Sequence, residues 1–197
     1  MTQLILASAS PRRRRLLEQI GLSFRVVPAE VAEDLPTGCD PLAGVMEVAN
    51  RKATKVAKGE SRGLILAADT IVLLAGEILG KPAGFEEAVA MLARLKGRKH
   101  EVITGVALRD AAGGKCLLGY EVTTVQMRAL TVREIRAYVA GGEAYDKAGA
   151  YGIQGKGALL VKGIEGCYFN VVGLPLVRVA DMLKSFNFDL WSDKERG

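Results

Sequence analysis

Leu4-Ile5-Leu6-Ala7-Ser8-Ala9-Ser10-Pro11-Arg12-Arg13-Arg14-Arg15 passes from strand chemistry to helix chemistry within one short stretch. Residues 4–7 form a continuous apolar run of the kind a buried strand needs, and Ser10-Pro11 opens a helix that continues to about Ile20. Serine caps helix starts through its hydroxyl, proline suits the first turn, and Gly21 supplies the stop. A strand running directly into a helix is the repeating unit of α/β folds.

Working outward, the alternation continues. Residues 24–27 read as a second strand, followed by an acidic loop with Glu30, Glu33 and Asp34. Residues 41–58 read as a helix, because Leu42, Val45, Met46, Ala49, Ala53 and Val56 recur at spacings of three and four. Residues 64–68 form a buried-strand run, and 71–74 with 78–79 form a hairpin turning at Ala75-Gly76-Glu77. Phe85–Leu95 is helical, with Ala88, Met91, Leu92 and Leu95 on its apolar face. Two strands, 101–108 and 117–127, flank a turn whose Gly113-Gly114 tolerates positive φ. Thr131 and Glu134 read as the capping box of a helix through Ala140. A glycine-dense stretch, 141–166, contains a strand at 158–161. Pro175 lies in the first turn of a closing helix that ends near Phe186, and 186–197 is a peripheral tail without periodicity. With no internal repeat and no Pro- or Ser-rich linker, residues 1–197 are expected to form a single domain.

Composition narrows the functional classes. Of 197 residues, 49% are hydrophobic and 25% charged, which excludes a disordered chain. No apolar run approaches the roughly 18–20 residues of a membrane span, and the start lacks a signal-peptide pattern. Cys39, Cys116 and Cys167 are widely spaced without a CxxC, as in reduced, cytoplasmic proteins. His100 is the only histidine, so zinc sites built on two or three histidines are excluded.

Four arginines at a helix start sit at the wrong end of the macrodipole, which carries about +0.5 charge there and costs each cation roughly 0.3–1 kcal/mol. Such a cluster either solvates a surface helix or holds an anion. Arg14 and Arg15 fit the first reading, whereas Arg12 and Arg13, beside Ser8 and Ser10, fit a phosphate. Asp69 ends the apolar run 64–68 and is followed by Thr70; a carboxylate emerging at a strand's carboxyl end can hold a divalent cation or take a proton from water, and otherwise is a turn residue. Gly80-Lys81-Pro82 is not a P-loop, because Gly76 is one residue too near and Pro82 replaces the Ser/Thr. It nonetheless holds Lys81 as a fixed point charge. Lys52, Lys55 and Lys58 recur at spacing three on the 41–58 helix. Between Tyr145 and Gly155 lie Asp146, Lys147, Tyr151, Gln154 and glycines at 149, 152 and 155, read either as a tight connection or as close backbone approach to a ligand.

Together, residues 6–13, Ala67-Ala68-Asp69-Thr70-Ile71-Val72, Gly80-Lys81-Pro82, Thr104-Gly105-Val106, residues 145–155 and Asn170-Val171-Val172-Gly173-Leu174-Pro175 resemble the Maf family of nucleoside triphosphate pyrophosphatases, in order from about residue 4 to 185. The resemblance implies an elongated mixed β-sheet with flanking helices in two lobes around a central cleft, similar to inosine triphosphate pyrophosphatases. It also implies hydrolysis of a nucleoside triphosphate to monophosphate and pyrophosphate with Mg²⁺ or Mn²⁺. The form of residues 146–155 looks like the branch acting on dTTP and UTP. Carried over position by position, Asp69 matches the catalytic acid/base; Arg12, Thr70 and Gln154 match positions tied to substrate choice; Ser8, Arg13, Glu33, Lys52 and Lys81 match others lining the cleft. The sequence departs from the family pattern at Lys96 and Lys99, where small hydroxyl residues are common, and at Cys167, often a serine.

On this reading Arg12, Arg13, Lys52 and Lys81 hold phosphates, the metal bridges oxygens near Glu33 and Asp69, and Asp69 acts on water as base or metal ligand. The Gln154 amide either reads the O4 and N3–H of uracil or thymine or satisfies backbone groups of its own loop. A homodimer follows from the resemblance alone. The competing class is a nucleic-acid-binding or cell-division regulatory protein without hydrolase activity, motivated by pI ≈ 9.2 and the arginine run. A surplus of five charges and 6% aromatics give it no stacking platform.

Overall fold

The computed structural model describes residues 3–35 and 38–191; residues 192–197 of the predicted tail and residues 1–2 lie outside the described residues. In chain order the elements are β1 (Leu4–Leu6), α1 (Pro11–Gln19), β2 (Phe24–Val26), α2 (Pro41–Ala57), β3 (Leu64–Leu74), β4 (Glu77–Leu79), α3 (Phe85–Leu95), β5 (Lys99–Asp110) and β6 (Cys116–Met127). After α4 (Val132–Ala140) come two 3₁₀ segments, Ala148–Ala150 and Gly155–Leu160, then β7 (Val161–Glu165), α5 (Tyr168–Val172) and α6 (Leu176–Lys184).

The strands form one sheet in the order β2-β1-β3-β5-β6-β7, with β4 also on β3. β1 runs parallel to β2 and β3, and every other pairing is antiparallel. β5 follows β3 along almost its full length, but the opposite edge of β3 is shared. β1 pairs with Leu64, Ile65 and Leu66, whereas β4 pairs with Val72, Leu73 and Leu74. Between them, residues 67–71 have no strand on that side among the described residues, so the sheet forks. Asp69 and Thr70 stand at the root of the fork.

Side-chain alternation assigns each face of β3 a different neighbour. Ile65 and Ala67 pack with Ala49 and Ala53 of α2, and Ile71 with Val45. On the other face, Leu64, Leu66 and Ala68 join Leu16, Leu17, Val172, Leu174 and Val179 in the core of one lobe. Val72, Leu74 and Leu79 join Leu92, Leu95, Ile135 and Val139 in the core of the other. The predicted mixed α/β architecture, with two lobes flanking a cleft, is therefore what the chain builds.

Two strand expectations need correction. Residues 64–68 and 71–74 are one strand, and Asp69 is not at its end but mid-ladder, opposite Gly105. The predicted strand at 158–161 is 3₁₀ up to Leu160, with β7 starting at Val161, because Gly155 takes φ 61 and the chain must turn there. Pro175 caps α6 rather than lying inside it.

α2 is seated unusually close to the sheet. A Cβ on Gly105 would lie 2.5 Å from the carbonyl oxygen of Val45 and 2.6 Å from its carbon, and neither backbone atom can yield as a flexible side chain would. Gly105→Ala should destabilise the protein by at least about 1–3 kcal/mol, the usual cost of overpacking. Urea unfolding with a midpoint equal to that of the parent would show that the helix adjusts freely.

Candidate active site

The fork in the sheet opens into a cavity of about 780 Å³. Its first wall is the start of α1. Ser10 has extended backbone and its Oγ accepts from the Arg13 amide at 3.4 Å, while the Ser10 amide donates to Ser8 Oγ at 3.2 Å. These two hydroxyls fix the turn that aims Arg12 and Arg13 inward. Arg14 instead pairs with Glu18 one turn on, and Arg15 is exposed, as solvating arginines should be.

The Arg13 guanidinium is held on three sides. Nε donates to the Gly173 carbonyl at 2.8 Å, Nη1 to Ser8 Oγ at 3.3 Å, and Nη2 to Thr70 Oγ1 at 3.1 Å. Burial lowers its pKa, opposed by the nearby charges of Asp69 and Glu33. Of the three lysines at spacing three, Lys55 on α2 and Lys58 just past its end are exposed, and Lys52 on α2 is buried. Lys52 Nζ donates to Asp69 Oδ1 and to Glu33 Oε1, both at 2.7 Å, and Lys81 Nζ donates to the other Glu33 oxygen at 2.7 Å. A chain of alternating charge therefore runs Asp69–Lys52–Glu33–Lys81 across the cavity. Partial burial favours the neutral form of Glu33, but hydrogen bonds from Lys52 and Lys81 outweigh it and bring the pKa to about 2. Asp69 Oδ2 accepts no hydrogen bond among the described residues.

The third wall is the glycine-dense segment. Arg12 Nη1 donates to Asp146 Oδ2 at 2.8 Å, a bond across the cleft between residues 134 positions apart. Burial raises the Asp146 pKa, but hydrogen bonds from Lys147 and Arg12 bring it to about 2. Gln154 lines the cavity, and its side chain makes no hydrogen bond among the described residues, so the reading in which it satisfies its own loop has no bond behind it. Every residue to which the sequence assigns a site role (Ser8, Arg12, Arg13, Glu33, Lys52, Asp69, Thr70, Lys81 and Gln154) lies on this one cavity. Sequence reading assigned no role to Asp146, Lys147, Tyr151 or the Gly173 carbonyl, which also line it.

The donor set fits a hard divalent cation. Glu33 and Asp69 converge on one ammonium, as two carboxylates about a common positive centre, and oxygen donors of this kind suit Mg²⁺ or Mn²⁺. No cluster of three or more His, Cys, Asp or Glu side chains exists among the described residues to hold a metal unaided.

Fold and cavity together define a two-lobed α/β protein with a charged cleft at a forked sheet. The chain belongs to the family described as Maf-like protein, which it matches over residues 3–186. A dTTP/UTP pyrophosphatase of Pelotomaculum thermopropionicum is 52% identical over 190 residues, covering 96% of this chain and 100% of that protein. One from Moorella thermoacetica is 52% identical over 191 residues, covering 97% and 98%. Among solved structures, a nucleoside-triphosphatase (dITP/XTP pyrophosphatase) from Mycobacterium abscessus aligns at 12% identity with a TM-score of 0.41, over 94% of this chain and 95% of that one.

His100 borders the site without entering it. Its Nε2 pairs with the Tyr151 hydroxyl at 2.6 Å, Nδ1 is buried without a partner among the described residues, and burial lowers its pKa to about 4. The unfolded chain would bind a proton near pH 6.5 that the folded one refuses until about pH 4, so stability falls as pH drops through that interval and His100 adds no further loss below it. The swing is on the order of 3 kcal/mol from the pKa difference. Urea titrations between pH 4 and 7 should show it in the parent and a flattened profile in His100→Gln; parallel profiles would mean that the histidine titrates normally.

Proposed function

We propose that the protein hydrolyses dTTP and UTP to the nucleoside monophosphate and pyrophosphate, by attack of water on the α-phosphorus. The observation that carries this reading is Asp69. It is fixed through Oδ1 by a buried ammonium, has Oδ2 without a hydrogen-bond partner among the described residues, and faces the same cavity as Arg12, Arg13 and Lys81. The names and full-length similarity of the curated relatives support the substrate class.

Cleaving the α–β anhydride is chiefly a matter of positioning and electrostatics. Arg13, with three of its five N–H groups engaged by the protein, presents the remaining two to a phosphate. Arg12 and Lys81 can add contacts by exchanging Asp146 and Glu33 for phosphate oxygens. Lys52 orients Asp69 and Glu33 and adds its charge from beneath. Asp69 Oδ2 accepts a hydrogen bond from the attacking water and takes its proton as the bond to phosphorus forms. The amide of Gln154 pairs with the O4 and N3–H edge of the pyrimidine.

The cavity wall carries five cationic side chains (Arg12, Arg13, Lys52, Lys81 and Lys147) against four acidic ones (Glu33, Asp34, Asp69 and Asp146). That near balance leaves a triphosphate of roughly −4 under-neutralised. Glu33 and Asp69 would hold the divalent cation whose charge makes up the difference and polarises the phosphate oxygens. The single sheet spanning both cores supports one bilobed domain, and three free cysteines support a reducing, cytoplasmic setting. No helix among the described residues is long and apolar enough to cross a membrane. The family resemblance adds homodimerisation to this reading.

Asp69→Asn should lower turnover of dTTP by about 10²–10⁴-fold, the range of general-base contributions, with an unchanged circular dichroism spectrum. Near-normal turnover would remove it from the reaction. Across a nucleotide panel, Gln154→Ala should erode the preference for UTP over CTP, and an unaltered ratio would assign base reading elsewhere. Chelation with EDTA should abolish pyrophosphate release, and Mg²⁺ or Mn²⁺ should restore it; release that persists in EDTA would contradict the metal requirement.

A further inference from the structure

Thr104 and Asn170 belong to two of the motifs singled out from the sequence, yet the proposed reaction gives neither a role. Both are fully buried, and neither lines the cavity. Thr104 lies on β5 directly opposite Thr70 of β3, and their hydroxyl oxygens are 2.9 Å apart. Thr104 Oγ1 is also 3.2 Å from the Asn170 carbonyl oxygen, to which it donates. Thr70 Oγ1 in turn accepts from Arg13 Nη2 at 3.1 Å.

Only one arrangement of protons satisfies this row. Arginine donates and never accepts, and a carbonyl accepts and never donates. Arg13 must therefore donate to Thr70, Thr70 must give its proton to Thr104, and Thr104 must give its own to Asn170. If Thr104 turned its proton toward Thr70 instead, its oxygen and the Asn170 carbonyl would face each other with no hydrogen between them. The row is polarised in one direction from a buried backbone carbonyl to the cation on the cavity wall.

The far end is anchored independently. The Asn170 side-chain amide donates to the Val102 carbonyl and to Thr123 Oγ1, both at 2.9 Å, and Thr123 exchanges hydrogen bonds with the backbone of Cys167. The same turn that offers the Asn170 carbonyl also offers the Gly173 carbonyl to Arg13 Nε. α5 and the Gly173 that ends it thus fix the guanidinium at two points: Gly173 directly at Nε, and Asn170 at Nη2 through two hydroxyls.

We infer that Thr104 is a positioning residue for Arg13, setting the plane of its guanidinium through Thr70 so that the two unengaged N–H groups face the phosphates. The inference rests on the proposed role of Arg13 in binding phosphate. Removing the Thr104 hydroxyl leaves Thr70 with no acceptor for its proton and free to turn it elsewhere, and Arg13 loses its fixed partner.

The test uses the full chain and reads binding apart from catalysis. Calorimetric binding of inorganic tripolyphosphate should weaken about tenfold in Thr104→Val, the equivalent of one hydrogen bond to a charged group, and stay within about twofold of the parent in Thr104→Ser. In an Arg13→Lys background, Thr104→Val should change binding by less than about twofold, because the group through which it acts is gone. Should the valine variant fail to fold, Thr104→Cys, a weak donor of similar size, is read by the same criteria. Parent-like binding by the valine variant, or an equal loss in both Arg13 backgrounds, overturns the inference. dTTP hydrolysis by the parent protein is measured separately: its absence would sink the proposed activity, while tripolyphosphate binding would still decide the role of Thr104.

Discussion

Among the described residues no strand pairs with the edge of β3 between Leu66 and Val72, and that gap is the condition for everything the cleft contains. A central strand normally loses its polar backbone groups to ladders on both sides. Here β1 stops and β4 starts too late, so the chain has a stretch where solvent, substrate and side chains can approach a strand otherwise locked by β5. Asp69 and Thr70 are adjacent in sequence and point to opposite faces, and the fork lets both reach the cavity. One meets α2 through Lys52 and the other meets α1 through Arg13. Two helices on opposite faces of the sheet are thereby coupled to one site by a single dipeptide.

Burying the Lys52 ammonium is costly unless its charge is matched, and two carboxylates match it. That network makes sense as geometry more than as stability. A well-packed apolar residue at 52 would hold α2 at least as well, but could not place Asp69 Oδ1 and leave Oδ2 open. The close approach of α2 at Gly105 serves the same end, since the helix must sit deep for a lysine on it to reach a carboxylate on β3.

Elements decided by local chemistry were legible in the sequence. The Ser10-Pro11 start of α1 and the capping box of Thr131 and Glu134 depend on residues within one turn, and both occur. The apolar pattern divides β3 in two because Asp69-Thr70 interrupts it; what carries the strand through is its ladder to Gly105 and Thr104, invisible to local patterning. The apolar run at 158–161 imitates a strand, but the glycines before it set the backbone. In the site, the cationic and acidic side chains could be picked out by type and motif. Their pairing could not, because Arg12 with Asp146 and Thr70 with Thr104 are brought together only by the tertiary fold.

Most cations of the cleft are already paired with the protein's own acids, Arg12 with Asp146, Lys81 with Glu33, and Lys52 with Asp69 and Glu33, while Arg13 is held by neutral groups. An arriving polyanion therefore trades places with tethered carboxylates rather than expelling mobile ions from the surrounding electrolyte. Because ion release is what makes polyanion binding steeply sensitive to salt, affinity here is buffered against ionic strength more than the number of positive side chains would imply.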